Sequence, residues 1–281
     1  DLRETNDYLL QVGQSVGLMY GYVTDGFYTV DDFQEGEGNW KLKPGVVNSQ
    51  GVTRSLGGSG GNPLVGSLKL KKLTPVDPNN PDSYNVTIDD RTVIGDANPI
   101  HTGGFSLSGN YKNIDLSVFF NWSYGNDVYN AQKIMNTTTW KYKYYNMSTL
   151  VDSQHRFSIY NAEGNDLRTD KEAMKAYNAN ASIWNPAMQS CVFHSWAVED
   201  GSFLRLSNIT LGYSLPTKWI KKAHISKARF YVTANNLHVW TKYSGFDPEV
   251  NTRRTTPLTP GVDYSAYPKA RSFTFGTNIT F

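Results

Sequence analysis

The side chains that could carry out chemistry in this chain are few and widely spaced. The five histidines are His101, His155, His194, His224 and His238. No two of them share the i, i+4 spacing that places two ligands on one helix face, so the sequence predicts no metal site. Ser195 follows His194, but the G-x-S-x-G motif of a nucleophilic serine is absent. We therefore predict that the chain is not an enzyme and uses no cofactor.

One carboxylate pair could face a ligand. Asp247 and Glu249 flank Pro248, and a carboxylate held at such a position could accept hydrogen bonds from a bound molecule. A turn fixed by the proline is the simpler interpretation of the same residues. Both interpretations place Asp247 in a loop.

The composition limits the classes of protein to which the chain could belong. Charged residues make up 19% of the 281 residues, below the usual value of about 25%, and aromatic residues reach 14%. The net charge is +2 and the basic cluster at Lys69 to Lys72 is short, so no nucleic-acid partner is expected. The single cysteine, Cys191, excludes an internal disulfide. No apolar run approaches the 18 or so residues of a transmembrane helix. Such a composition is typical of β-barrels and lectins.

The chain ends in a clear β-strand pattern over residues 270–281. Phe273, Phe275 and Ile279 occupy one parity, whereas Thr274 and Asn278 occupy the other. This period of two predicts a strand with one apolar and one polar face. Its length fits the roughly 9 to 11 residues with which a tilted strand crosses a bilayer.

The same alternation recurs along the chain. It predicts further strands at 16–22, 104–111, 114–124, 203–215 and 228–241. Only Lys112 and Asn113 separate the second and third of these segments, so they are predicted to form a tight hairpin. The alternation changes phase near Asn235 and Asn236, which predicts a β-bulge there.

The connections between these strands alternate between long and short, which is typical of an outer-membrane barrel. The long connections, predicted to be extracellular, are 25–101, 125–201 and 242–268, and the short periplasmic turns are 112–113 and 216–227. A lipid bilayer does not tolerate an open sheet edge, because each unpaired backbone group there costs several kcal/mol. Six strands are too few to close a membrane barrel, so we expect the chain to be a section of a larger one.

Several stretches resemble a known family. They are F-L-R-L-S-N-I-T-L-G-Y-S-L-P (203–216), the segment from A-R-F-Y-V-T-A-N-N-L to F-D-P-E-V (228–250), the segment from G-V-D-Y to the end (261–281), Y-G-Y-V-T-D-G-F-Y (20–28), D-R-T-V-I-G-D-A-N-P (90–99) and T-G-G-F-S-L-S-G-N-Y-K-N-I-D-L-S-V-F-F (102–120). In this order they resemble the C-terminal end of the SusC/RagA-type TonB-dependent outer-membrane transporters. The resemblance runs across most of the chain.

The resemblance implies a fold and a function. It implies an all-β, antiparallel transmembrane barrel of 22 strands, of which this chain would supply about the last six, 1–281 lying wholly within the barrel domain. The plug domain and the segment that contacts TonB would precede this chain. The function implied is import of oligosaccharides or oligopeptides through the bacterial outer membrane, with a SusD-like surface lipoprotein as partner. Residues 71–90 depart from the family pattern, because they lack the carboxylate spacing of a calcium-binding loop.

We predict two groups of functional residues. The polar parity of the strands would face the lumen: Ser106, Ser108, Asn110, Ser117, Asn121, Asn208, Thr210, Thr274 and Asn278. The candidates for contact with a ligand or with the lid protein are Trp140, Tyr142, Tyr144, Tyr145, Trp184, Trp196, Phe246 and Asp247. The aromatic loop residues could instead pack the loops against one another.

A secreted β-sandwich that binds carbohydrate is the alternative. In that case the apolar strand faces would form the core, and the tyrosine-rich loops would form a platform for sugars. The two hypotheses differ in where the apolar faces lie.

Overall fold

The computed structural model describes residues 7–139, 146–188, 192–252 and 257–281. The chain divides into two compact units. The loop unit comprises the described parts of Asp1–Gly95, Tyr129–Val198 and Thr256–Thr259, and the sheet unit comprises those of Asp96–Val128, Glu199–Thr255 and Pro260–Phe281.

Long strands dominate the sheet unit, whereas the loop unit contains short strands and short helices joined by turns. The strands are β1 (Tyr8–Leu9), β2 (Leu18–Gly21), β3 (Thr24–Phe27), β4 (Leu68–Leu70), β5 (Thr92–Asp96), β6 (His101–Tyr111), β7 (Ile114–Tyr124), β8 (Asp127–Asn130), β9 (Val198–Asp200), β10 (Phe203–Ser214), β11 (Lys227–Thr241), β12 (Val262–Asp263) and β13 (Ser272–Thr280). The α-helices are α1 (Gln50–Thr53), α2 (Ala131–Met135), α3 (Lys171–Tyr177) and α4 (Thr217–Ile220). Across the described ranges, no helix has the length and apolar character to cross a membrane.

The sheet unit is built on a five-stranded antiparallel sheet in the order β13-β11-β10-β7-β6. Its strands are 9 to 15 residues long. Strands β6 and β7 form the predicted hairpin, with Tyr111 opposite Ile114 and only two residues between them. Lys112 takes a left-handed backbone conformation, with φ of 54°, to close this turn. The prediction of long antiparallel strands is confirmed.

The register sorts the side chains of these strands onto two faces. Leu211 lies opposite Leu116 on β7 and Val232 on β11, and Val232 in turn lies opposite Phe275 on β13. We call this side the apolar face and the opposite side the polar face. Large side chains of the apolar face are exposed, among them Leu211 by 48% and Phe275 by 81%. A sandwich would bury this face as its core; among the described residues, no second layer covers the large side chains of this face.

The predicted bulge in β11 is confirmed. The pairing of β10 with β11 shifts between Leu206 and Asn208. Asn236 has a φ of 52°, a left-handed conformation that asparagine tolerates better than most residues. The alternation in β11 does not change phase there, contrary to the prediction: Val232, Ala234 and Trp240 all lie on the apolar face, and Val239 lies on the polar face opposite Arg205. The change of phase occurs in β10 instead, where Leu204 and Leu206 lie on the apolar face before Ser207, and Ile209 and Leu211 lie on it after Ser207.

The first predicted strand lies outside the five-stranded sheet. Residues 16–22 contain β2, which belongs to a three-stranded sheet of order β1-β2-β5. Its four residues are too few to span a bilayer, and Met19 is fully buried. Five of the six strands expected from the sequence thus share one sheet, and the sixth helps to build the loop unit.

The loop unit has its own hydrophobic core, so the long connections are folded structures. One cluster joins Tyr28, Phe33 and Leu64 to Phe157 and Met174. A second cluster contains Leu68, Leu70, Val86, Val151, Ile183, Trp184, Met188 and Val192. Because each cluster combines residues from before β6 and after β7, these two parts of the sequence must fold together.

A buried ion pair joins the two ends of the segment 71–90 within the loop unit. Asp90 is fully buried, and its Oδ2 accepts a hydrogen bond from Lys72 Nζ at 2.8 Å. The backbone N–H groups of Thr74 and Thr87 each donate to the same carboxylate at 2.8 Å. Burial alone would raise the pKa of Asp90, but these hydrogen bonds outweigh it and hold the pKa well below its usual range.

Asp90→Asn should loosen this segment. Removing one charge of a buried pair costs about 3 to 5 kcal/mol, so we expect faster hydrogen–deuterium exchange over 71–90. Because the folded-state pKa is depressed, the stabilisation is present above the unfolded value of about 3.9 and is lost as the pH falls towards the folded value. Asp82→Asn, in the same segment but exposed, is the control. Equal protection in both variants would contradict this role for Asp90.

Candidate functional site

A cavity of about 530 Å³ lies in the sheet unit, at the end of the sheet where the long connections begin. Its lining combines residues from β6 and β7 with two loop segments, 248–251 and 260–261. The polar lining residues include Thr102, Asn121, Ser123, Asn126, Glu249 and Asn251. Phe203, Val128 and Pro248 provide apolar walls. A concave, partly apolar surface with a few fixed polar groups is the usual form of a ligand site.

The amides in this cavity are oriented by neighbouring hydroxyls. Ser123 Oγ donates to Asn126 Oδ1 at 2.7 Å, and Ser207 Oγ donates to Asn121 Oδ1. In the described part of the chain, the amide nitrogens of Asn121 and Asn126 donate no hydrogen bond of their own. The cavity therefore offers amide donors to a ligand that carries carbonyl or hydroxyl oxygens.

Arg205 fixes the loop that forms one wall of the cavity. This residue lies on the polar face of β10 and is 3% exposed. Its Nη2 donates to Asp247 Oδ1 at 2.5 Å, and its Nη1 donates to Asn236 Oδ1 at 2.5 Å. Glu249 Oε2 lies 3.5 Å from Arg205 Nε. One guanidinium thus links strand β10, the bulge in β11 and the loop at 247–249.

Further contacts hold the same loop. Lys269 Nζ lies 2.5 Å from Glu249 Oε2, and Asn236 Nδ2 donates to the carbonyl of Lys269 at 2.7 Å. The Tyr243 hydroxyl donates to the buried carboxylate of Asp263 at 2.6 Å. Burial raises the pKa of Tyr243, so this hydroxyl keeps its proton and remains a donor. These contacts make the cavity wall a preformed surface.

The structure separates two neighbouring residues that were both predicted as ligand contacts. Phe246 is 71% exposed, whereas Asp247 is 4% exposed and paired with Arg205. The carboxylate of Asp247 therefore anchors its loop, as the simpler interpretation of the proline-containing turn suggested. Phe246 is the member of the pair whose side chain is available for contact.

The two described tryptophans among the candidates belong to the loop unit. Trp184 is 3% exposed, and its ring meets that of Trp196 edge-on with 4.6 Å between centroids. Lys133 Nζ lies 4.1 Å from the Trp196 ring, and His194 stacks on the same ring. Burial, together with the charge of Lys133, lowers the pKa of His194 to about 3. This arrangement favours the interpretation in which the tryptophans pack the loops. Trp140, Tyr142, Tyr144 and Tyr145 lie outside the described residues, as does Cys191.

The residues predicted to face the lumen all lie on the polar face of the sheet. The register pairs Ser108 with Ser117, and Thr210 with both Ser117 and Thr233. Asn278 lies opposite Arg229. The same alternation places Ser106, Asn110, Asn121, Asn208 and Thr274 on this face. Their common orientation is a property of the sheet, and their exposure to a lumen stays a prediction.

Sequence reasoning missed an ion pair across this face. Arg229 Nε and Nη2 donate to the two carboxylate oxygens of Asp115 at 2.8 and 2.5 Å. The pair passes over Gly212, where an added Cβ would lie 2.4 Å from Asp115 Oδ1. Opposite charges on the polar parity of two strands, with a glycine on a third, are the signal that could have revealed it.

Sequence comparison shows that this chain is similar to TonB-dependent receptors. The chain is 30% identical over 277 residues to TonB-dependent receptor P3 of Formosa agariphila, which covers 97% of this chain and 23% of that protein. It is 28% identical over 153 residues to TonB-dependent receptor SusC of Bacteroides thetaiotaomicron, covering 52% and 14% of the two chains. No family model matches this chain.

Solved structures share the fold. A chain in the structure of the RagAB peptide importer in its open-open state superposes with a TM-score of 0.63 at 20% identity, covering 98% of this chain and 23% of that one. The closed-closed state gives a TM-score of 0.59. This chain spans about a quarter of the length of two of its relatives: 23% of TonB-dependent receptor P3 and 26% of TonB-dependent receptor P39 of the same organism.

Asp247→Asn should disorder the cavity wall. The substitution removes the closer of the two carboxylates beside the buried Arg205 charge and leaves Glu249, 3.5 Å from Arg205 Nε, as the other, which we expect to cost up to about 3 to 5 kcal/mol. We expect faster hydrogen–deuterium exchange over 244–252 in the full-length protein. Asp31→Asn removes a carboxylate from the exposed pair with Lys175 and should change exchange very little. Unchanged protection in Asp247→Asn would show that the ion pair does not hold the loop.

Proposed function

We propose that this chain, a homologue of the SusC/RagA-type TonB-dependent transporters of the bacterial outer membrane, forms a section of the barrel of such a transporter and takes part in nutrient import. The observation that carries the proposal is the five-stranded antiparallel sheet, in which one face is apolar and exposed and the other is polar. In the proposal the apolar face contacts lipid and the polar face lines the interior.

The open edges of the sheet support a larger barrel. Strands β6 and β13 end the described sheet, and each is paired on one side only. In a bilayer the free edge would leave backbone N–H and C=O groups without partners, which lipid does not permit. The remaining strands of the same protein are the natural source of the missing hydrogen bonds. The plug domain and the TonB-contacting segment belong to that remainder.

The lengths of the connections support an orientation in the membrane. The two-residue turn at 112–113 and the segment 216–226 join strands at one end of the sheet, and the long connections join them at the other. Because outer-membrane barrels have short periplasmic turns and long extracellular loops, the long connections are extracellular. The cavity beside Asn121 and Glu249 then opens near the extracellular end of the barrel interior.

The proposed cargo is an oligopeptide or an oligosaccharide. The RagAB structures are those of a peptide importer, and SusC is a TonB-dependent receptor. Amide donors beside apolar walls in the cavity suit the oxygen-rich backbone of either class. Phe246, and the aromatic residues predicted at 140–145, would contact the cargo or a SusD-like lipoprotein that closes over the loops.

The first test is to extract the native protein from its source membrane in mild detergent, measure its intact mass and identify what co-purifies. The proposal expects a mass far above the 31.5 kDa of this chain, together with a surface lipoprotein. A 31.5 kDa protein that dissolves without detergent would overturn it.

Leu211→Arg should impair membrane assembly of the full-length barrel. The side chain lies on the apolar face, at the ninth of the 12 residues of β10, and Arg on the lipid side costs about 2 to 4 kcal/mol at the membrane midplane and less towards the interface. Thr210→Arg places the same group one residue away on the polar face and should assemble nearly normally. The measurement is the fraction of heat-resistant, folded barrel in outer-membrane preparations. Equal assembly of the two variants would refute the assignment of the faces.

A further inference from the structure

A groove interrupts the apolar face of the sheet near the end that carries the long connections. It has a volume of about 660 Å³ and lies within the sheet unit. Its floor is formed by aromatic and aliphatic side chains from four adjacent strands: Phe105, Trp122, Leu204 and Trp240. Phe105 stacks on Phe120 with 4.8 Å between centroids, and Phe120 stacks on Trp240. The floor is therefore continuous with the rest of the apolar face.

A glycine shapes this groove. Trp122 lies across Gly103 on the neighbouring strand, where an added Cβ would come within 2.4 Å of the indole ring. Trp122 Nε1 donates to His101 Nδ1 at 3.0 Å, which fixes the ring in that position. The indole is thus held flat on the sheet, and the groove remains open beside it.

The rim of the groove is polar and carries donors. Because His101 Nδ1 accepts the indole hydrogen bond, the proton of the neutral imidazole resides on Nε2, which is left as a donor. The ring of His101 stacks on Tyr124 with 5.1 Å between centroids. Lys242 is exposed at the same rim. Asp200 contributes one negative charge there, and its carboxylate accepts a hydrogen bond from the backbone N–H of Ser202 at 2.9 Å.

We propose that this groove binds one phosphate-bearing membrane lipid, with an acyl chain on the aromatic floor and the phosphate beside Lys242 and His101. The inference rests on the proposed function, since it requires the apolar face to lie in a bilayer. In that orientation the floor is at acyl-chain depth and the rim is at headgroup level, where amphipathic rings and cationic side chains are favoured. The fixed indole and the concave shape distinguish this place from the rest of the apolar face, which lipid would cover without a defined site.

Native mass spectrometry of the full-length, delipidated transporter would test the site. The probes are phosphatidylglycerol and, as the phosphate-free comparison, diacylglycerol. We expect saturable binding of phosphatidylglycerol that falls by roughly tenfold in Trp240→Ala. Gly103→Ala, which displaces the indole, should act in the same direction. Lys242→Gln should lower the affinity for phosphatidylglycerol about fivefold and leave that for diacylglycerol unchanged.

Phe275→Ala is the matched control, because Phe275 is an exposed aromatic residue of the same face that lies outside the groove. Retained binding in this variant, with loss in Trp240→Ala, supports the site. Equal binding by all variants, or equal affinity for the two probes, overturns it. Gly103→Ala and Lys242→Gln keep the test decisive if Trp240→Ala does not assemble.

A full-length protein that is absent from the outer-membrane fraction would overturn the proposed function as well, whereas normal insertion without a saturable lipid would overturn the lipid site alone.

Discussion

The register of the five-stranded sheet is the constraint on which the rest of the molecule depends. Side chains in a strand alternate with a period of two, so a slip of one residue would move every side chain to the opposite face. The pairing from β6 to β13 keeps Leu211 beside Leu116 and Val232, and Thr210 beside Ser117 and Thr233. The apolar and polar faces follow from this alignment. Both the proposed lipid contact and the cavity require it.

The irregular positions of the sheet help to maintain this alignment of side chains. The bulge at Asn236 offsets the irregularity of β10 at Ser207, so that Trp240 lies opposite Leu204 on the apolar face. The same Asn236 accepts a hydrogen bond from Arg205, which in turn holds Asp247. The place where β11 departs from regular pairing is thus the place where the cavity wall is attached. Bulges often occur beside functional sites because they redirect side chains in this way.

Glycines allow side chains to lie flat on both faces. Gly212 leaves space for the ion pair between Asp115 and Arg229 on the polar face, and Gly103 leaves space for Trp122 on the apolar face. Strand propensity alone disfavours glycine at such positions. Their presence is explained by the close approach of a large or charged group from a neighbouring strand.

The sequence by itself determined the local features. Alternation predicted the long strands and the two-residue hairpin at Lys112 and Asn113, because the period is a property of consecutive residues. It predicted the place of the bulge near Asn236, but the change of phase lies in β10, because the register depends on the neighbouring strands. It also divided the strand residues between two faces. The motifs at 203–216 and 228–250 indicated the family before any geometry was available.

Only the tertiary structure decided which groups meet across the chain. Residues 16–22 alternate like the other strands, yet β2 pairs with β1 and lies next to β5, because pairing depends on partners that alternation does not identify. Asp247 is in the predicted turn, but its burial against Arg205 depends on a residue 42 positions away. The sequence left open whether Trp184 contacts a ligand or packs the loops, and its place in the core of the loop unit depends on residues from distant parts of the chain. Periodicity records the face on which a side chain lies, whereas burial and charge pairing depend on contacts between residues far apart in the chain.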